Sequence, residues 1–251
     1  MKKQTTLDKL DFQNLIIEDF FSKNRCKKIV REINKFGKFD DLVMGGRKRI
    51  NKGSKNFHNF LNQSSESRKF FKNVNNFKYF KKIQNYFDKK KRNYVLANNQ
   101  KKFEFSKRIF GSQSGKKITN MKTNTKKNIL YLDVDFSSSG RGYSRGAHRD
   151  RDSRVINFLI YLNNLTTKDG GYLKLFNLKN KKMNIKDKRF VNEKQLKLIK
   201  NLKAKAGRAI FFVSSPNSYH SASNFYAKKI KRRYFIYGSF SLNKKVNWHV
   251  I

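Results

Sequence analysis

Only four histidines occur in the 251 residues, and two of them stand beside strand-like runs, His148 in AHRDRD and His220 in SPNSYHSAS. On an extended segment residues i and i+2 project to the same face, so His148 and Asp150 can reach one point while Arg149 is turned away. A later strand that brings His220 alongside completes a set of two imidazoles and one carboxylate. Three such ligands on one face leave coordination positions open, which suits a non-haem Fe(II) that must also bind a co-substrate and O2; zinc is the competing metal. An H-x-D spacing is common among ordinary hydrogen-bonded pairs, so the surrounding elements have to decide. Asp152 is the alternative carboxylate if the local register differs. His58 and His249 lie apart from this grouping and read as satisfied or exposed histidines.

The elements that must position these residues are legible in the period of the apolar residues. From about Asn128 the period is two, in the runs NILYLDVDF, RVINFLIYL, GYLKLF, RAIFFV and RRYFIYGSF, separated by Gly, Ser and Asn clusters. So many short strands must manage their edges, most simply as a two-sheet jelly roll whose mouth holds a ligand. Before Asn128 the pattern is helical. A short strand within FQNLIIEDFF leads to a helix that Ser22 can cap, with Cys26, Ile29, Val30 and Ile33 on one stripe and Gly37 as its stop. Residues 38–63, with Gly45, Gly46 and Gly53, read as loop. A second helical pattern runs from Ser65 to about Phe87 through Phe70, Phe71, Val74, Phe77, Phe80 and Ile83, a stripe that at this spacing is a buried face before it is a base-stacking platform.

Length suits one compact unit, and 37% apolar residues, with 24 Phe in the chain, can supply a core. Cys26 is the single cysteine, so no intramolecular disulfide can form and a reducing, cytoplasmic setting is expected. The first residues lack an apolar signal region and no run approaches a membrane span, so neither a secretion signal nor an anchor is expected. Sixty Lys+Arg against 17 Asp+Glu give a formal charge of +43, enough to attract nucleic acid or another polyanion. The lysines are scattered, so the same charge also fits solvated faces in a Lys/Asn/Phe/Ile-rich chain. A basic nucleic-acid-binding protein is therefore the alternative function, although no specific RNA or DNA motif supports it.

Over about Asn128 to Leu242 the chain resembles the prolyl-4-hydroxylase-like branch of the 2-oxoglutarate and Fe(II)-dependent oxygenases. The resemblance rests on GYSRGAHRD, SRVINFLIYLN, DGGYLKLF, AGRAIFFVSSPNSYH and RRYFIYGSF, five segments in the family's order. It implies an α+β fold, a double-stranded β-helix (jelly-roll) core with N-terminal helices packed on it. Residues 1–127 would be a basic support region of the same unit, and 128–246 the oxygenase domain with a Lys-rich insert at about 179–205. It also implies Fe(II) on His148, Asp150 and His220, and 2-oxoglutarate as co-substrate, decarboxylated to succinate as O2 hydroxylates a peptidyl, prolyl or small-molecule substrate. Ascorbate is the family's accessory reductant.

The resemblance assigns the distal carboxylate of 2-oxoglutarate to Arg233, with Tyr161 assisting it and Tyr143 lining the pocket. Arg232 is the rival, but strand alternation allows only one of the two to face the cavity. Gly170, Gly171 and Gly207 are expected to serve backbone turns, and Arg154 a structural ion pair. The arginine pattern of nucleic-acid-demethylating relatives is not well matched by KIKRRYFIYG, which favours a protein or small-molecule hydroxylase over base demethylation. A jelly roll that has kept its metal and lost turnover is the third reading.

Overall fold

The computed structural model describes residues 4–43, 46–88, 94–96, 102–107, 127–180, 188–228 and 231–250. In chain order the elements are β1 (Gln4–Thr5), β2 (Asn14–Ile17), α1 (Lys23–Phe36), β3 (Asp41–Val43), β4 (Arg47–Asn51), α2 (Lys55–Gln63), α3 (Ser65–Val74), α4 (Phe77–Asp88), β5 (Tyr94–Leu96) and β6 (Glu104–Ser106). They continue with β7 (Ile129–Ser139), β8 (Arg145–His148), β9 (Arg154–Tyr161), β10 (Leu173–Leu178), β11 (Leu196–Leu202), β12 (Ala209–Val213), β13 (His220–Ala222), β14 (Arg233–Leu242) and β15 (Trp248–Val250). A large sheet runs β1-β2-β12-β9-β14-β7-β4-β3, with β6 also on β7, and a small sheet runs β11-β10-β13-β8. From β7 to β14 the chain passes back and forth between the two sheets, except at the β10–β11 hairpin. This is the double-stranded β-helix, with four helices added among the described residues.

Alternation along the large sheet creates two cores. Leu130, Leu132, Val134 and Phe136 of β7, Phe158 and Ile160 of β9, Phe211 of β12 and Ile236 and Phe240 of β14 face outward and meet the helices. Their neighbours Leu159 and Tyr161, Ile210 and Phe212, and Phe235 face inward against Leu173, Leu175 and Leu202 of the small sheet. The outer core is largely aromatic: Phe57, Phe60 and Phe70 all pack around Phe136, with ring centroids 4.9–6.2 Å apart. Such ring pairs contribute roughly 0.5–1.5 kcal/mol each beyond the area they bury.

Helix α1 forms as its sequence predicts. Ser22 Oγ accepts from Arg25 N at 3.2 Å, and Gly37, at φ 63°, closes the helix with its N–H on Ile33 O. Cys26, Ile29 and Ile33 are buried, with Val30 packed beside them. Burial pushes the Cys26 thiol up to about 11, as befits a core residue.

Residues 38–63 are not a loop. They contain β3, β4 and α2, and β4 pairs antiparallel with β7 from Arg47↔Ser139 to Asn51↔Asp135. The reading failed because the inward side of β4 carries arginines where a core-facing strand ordinarily carries apolar residues. The helical run from Ser65 is likewise two helices, interrupted at Asn75 and Asn76, where the Asn76 side chain accepts from Tyr79 N at 2.8 Å and starts α4. The lysine-rich stretch read as an insert holds β11, the outer strand of the small sheet; residues 181–187 of it lie outside the described residues. Gly170, Gly171 and Gly207 all have positive φ. Gly207 is also held by space, since a Cβ there would sit 2.2 Å from Phe21 O.

One buried charge lies at the helix–sheet boundary. Lys52 is fully buried, with Nζ 2.5 Å from Leu132 O and 5.7 Å from the centre of the Phe71 ring, and burial pulls it down to about 8. A lysine held below its unfolded value binds fewer protons when folded, so its contribution to stability rises with pH from about 8 to 10.5. Lys52→Met is therefore expected to raise stability at pH 7 by about 1–3 kcal/mol. The gap between variant and wild type should narrow at pH 10, which chemical denaturation at the two pH values would measure.

Candidate active site

The site is built where β8 and β13 lie side by side in the small sheet. His148 closes β8, His220 opens β13, and the register sets the two directly opposite. Asp150 follows His148 by two residues and returns to the same point. One ligand atom from each of the three lies within 4.8 Å of the others, and all three residues are buried, at 7%, 7% and 5% exposure. The His148 and His220 ring centroids are 4.5 Å apart, and His220 Nε2 is 3.5 Å from Asp150 Oδ2.

Each imidazole is oriented by its own backbone. His148 Nδ1 donates to Gly146 O at 2.8 Å, and His220 Nδ1 donates to Ser218 O at 3.0 Å. A proton fixed on Nδ1 leaves Nε2 as a lone-pair donor, the tautomer a metal requires. Burial, reinforced by the neighbouring His220, holds His148 down at about 3, so it stays neutral. Burial alone would raise Asp150, but Arg154, the two imidazoles and the Tyr237 hydroxyl outweigh it and keep the carboxyl ionised well below the usual range. Two imidazoles and one carboxylate, with a hydrogen-bonded outer shell, fit a divalent metal of the Fe(II) kind.

Arg154 and Tyr237 form that outer shell. Arg154 Nη1 is 3.1 Å from Asp150 Oδ1 and donates to Tyr237 Oη at 2.5 Å, and Tyr237 Oη donates to Asp150 Oδ2 at 2.5 Å. Arg154 thus makes the ion pair expected of it. Tyr237 was missed, although it shares the inward face of β14 with Arg233 and Phe235 and could have been found by alternation. Arg47 was missed with its strand; it pairs with Asp135 at 2.6 Å and lines the same cavity.

Arg233 begins β14 on the inward face and is 2% exposed. Its guanidinium is 4.4 Å from the centre of the Phe235 ring, 5.2 Å from Tyr161 and 5.7 Å from Tyr143. It donates from Nη2 to Tyr161 Oη at 3.4 Å, while Nε has no hydrogen-bond partner, and no described carboxylate pairs with it. A buried cation left short of an anion, opening on the cavity that holds the triad, fits a ligand carboxylate. Tyr143 lines the cavity; Tyr161 does not, and reaches it only through Arg233. Arg232 points to the opposite side, where Nε donates to Ser138 Oγ at 2.5 Å. Asp152 also lies outside the grouping, paired with Arg149 at 2.5 Å, and His58 and His249 are exposed.

Fold and donor set together define a jelly-roll metal site of the two-histidine, one-carboxylate kind. Residues 134–240, which hold the triad, Arg154, Tyr161, Arg233 and Tyr237, match the model of the 2OG-Fe(II) oxygenase superfamily, and the fold is prolyl-4-hydroxylase-like. Among solved structures it is similar to a Pseudomonas putida prolyl-4-hydroxylase, at 12% identity and TM-score 0.54 over 91% of both chains. It is similar also to a prolyl 4-hydroxylase from Phytophthora capsici, at 12% identity and TM-score 0.53 over 91% of this chain and 58% of that one. No curated protein matches at the level of sequence. No described helix is long and apolar enough to cross a membrane.

Tyr237→Phe removes one of the two hydrogen-bond partners that fix Asp150 and should leave the fold intact. Metal titration of the purified variant is expected to show divalent-metal affinity reduced roughly 10- to 100-fold.

Proposed function

We propose that His148, Asp150 and His220 hold Fe(II), that Arg233 braced by Tyr161 receives the distal carboxylate of 2-oxoglutarate, and that the enzyme hydroxylates a peptidyl, prolyl or small-molecule substrate. The observation that carries this reading is the pairing, in one cavity, of a buried triad with a buried guanidinium that no described carboxylate pairs with. When bound, Fe(II) supplies the O2 activation that couples oxidative decarboxylation of 2-oxoglutarate to succinate with oxygen insertion into substrate. Ascorbate would serve as accessory reductant.

The chain's own residues bind, orient and exclude water. Gly146 and Ser218 carbonyls aim the two Nε2 atoms inward, and Arg154 with Tyr237 keeps Asp150 ionised and fixed in direction. Arg233 offers parallel N–H donors suited to a carboxylate, and the rings around it keep water from competing. Leu159, Leu173 and Phe235 supply apolar wall. The single cysteine, buried and unpaired with another, supports a cytoplasmic setting. The formal charge of +43 supports, as a second reading, electrostatic association with nucleic acid or another polyanion.

Purified protein supplied with Fe(II), O2 and 2-oxoglutarate is expected to produce succinate, and His148→Ala and His220→Ala to abolish it; unchanged turnover in both variants would overturn the ligand assignment. Arg233→Ala should raise the 2-oxoglutarate KM by about 100-fold, through loss of a two-point charge-assisted contact, and Arg232→Ala by no more than about threefold. The reverse ranking would place the anchor on the wrong face of β14.

A further inference from the structure

The cavity shows a choice between the two basic residue types that the chain as a whole does not. Of the 60 basic residues 44 are Lys and 16 are Arg. Seven residues lining the cavity are Arg, and no described Lys lines it. Bulk attraction would be served by either type, and lysine is the commoner one here. Guanidinium differs by offering a planar fork of donors that matches an oxyanion at two points.

Three of the seven arginines have partners or a proposed ligand within the site. Arg47 pairs with Asp135, Arg154 with Asp150, and Arg233 faces the 2-oxoglutarate carboxylate of the reading above, on which this inference rests. Arg49 and Arg151, which have interactions of their own, and Arg145 and Arg189 are half-exposed and line the same cavity. The Arg145 and Arg189 guanidiniums both lie over the Phe190 ring, 5.2 and 5.4 Å from its centre, and Phe190 in turn stacks on the His148 ring at 5.8 Å. The ring face holds the cations without accepting a conventional hydrogen bond, so these contacts leave the guanidinium N–H groups to a ligand. Arg189 Nε is buried with no hydrogen-bond partner, and no described carboxylate lies within ion-pair distance of Arg145 or Arg189. Burial, and then repulsion from Arg151, Arg154 and Arg145, works against the charge on Arg189, with Asp150 opposing.

The charge to be matched exceeds one unit. Seven arginines face three carboxylates, Asp133, Asp135 and Asp150, and a divalent metal with a dianionic 2-oxoglutarate adds nothing to the balance. A single carboxylate on the substrate would leave most of the excess, whereas phosphate brings more negative charge and three or more acceptor oxygens. We infer that the mouth of the active site is a phosphate-receiving subsite, that Arg145 and Arg189 form its fork on the Phe190 platform, and that the substrate carries a phosphate group near the carbon to be oxidised.

The test is a calorimetric titration of the full chain, loaded with Fe(II) and 2-oxoglutarate under nitrogen at near-physiological salt. The probes are glycerol 3-phosphate, a six-residue oligothymidylate and hexaglutamate. At least one phosphate probe is expected to bind one-to-one and more tightly than hexaglutamate, and which of the two does so separates a phosphate monoester from a nucleic-acid backbone as the source. Arg145→Lys with Arg189→Lys keeps the charge and removes the fork, and should weaken that binding at least roughly tenfold. Lys197→Ala with Lys200→Ala, which removes two exposed charges from β11, should leave it unchanged. Binding that prefers hexaglutamate, survives the double lysine replacement at Arg145 and Arg189, or falls equally with Lys197 and Lys200 would overturn the subsite, as would no binding by either phosphate probe. Failure of the wild type to bind 2-oxoglutarate in a separate titration would instead count against the co-substrate reading and leave the phosphate result standing.

Discussion

A strand residue in the large sheet can occupy only one of two sides, and the two sides of this sheet are different solvents. The outward side is dry and aromatic, closed by four helices; the inward side borders the cavity and carries Arg47, Asp133, Asp135, Arg233 and Tyr237 among its apolar residues. A one-residue slip in β14 would exchange Arg233 for Arg232, driving one charge into the space between the sheets and another into hydrocarbon. The ten-residue ladder of β14 against β7 and its second ladder against β9 hold that register. Everything the site does with charge depends on this alignment holding.

Charge inside the cavity is organised so that one group remains to be satisfied at each ligand position. Asp150 is held by Arg154 and Tyr237 yet keeps its place beside two imidazoles, and Asp135 is held by Arg47 and Ser137. Arg233 is different, since its neighbours are rings and a tyrosine hydroxyl. Isolated buried ions are costly, so a guanidinium kept in such surroundings is stabilised fully only when a carboxylate arrives. That electrostatic asymmetry is what the carboxylate of the proposed co-substrate would relieve.

The N-terminal region is part of the catalytic architecture as well as its support. Helix α1 packs Cys26 against β9, with Sγ donating to Tyr161 O at 3.9 Å, so the helix layer bears on the residue that braces Arg233. Strand β4 extends the large sheet beyond β7 and delivers Arg47 and Arg49 to the cavity wall. The outer aromatic cluster therefore fixes the edge of the site from behind, through the backbone of the sheet.

Much of the site was legible because the information it needs is local. Alternation fixes that His148 and Asp150 share a face and that Arg233 and Arg232 do not; capping and the helical stripe fix α1 and the burial of Cys26. Strand β4 was illegible because its inward residues are arginines, which look like a surface until a cavity is present to receive them. The break between α3 and α4 was hidden because the aromatic spacing continues almost unchanged across Asn75 and Asn76. By itself the sequence determined the faces of its strands and the chemical types available to them, since side-chain direction follows from backbone period. Only the tertiary structure decided that His220 lies opposite His148, that Tyr237 and Arg154 meet on Asp150, and that four further arginines gather at the mouth, because strand partners and cross-sheet distances depend on residues far apart in the chain.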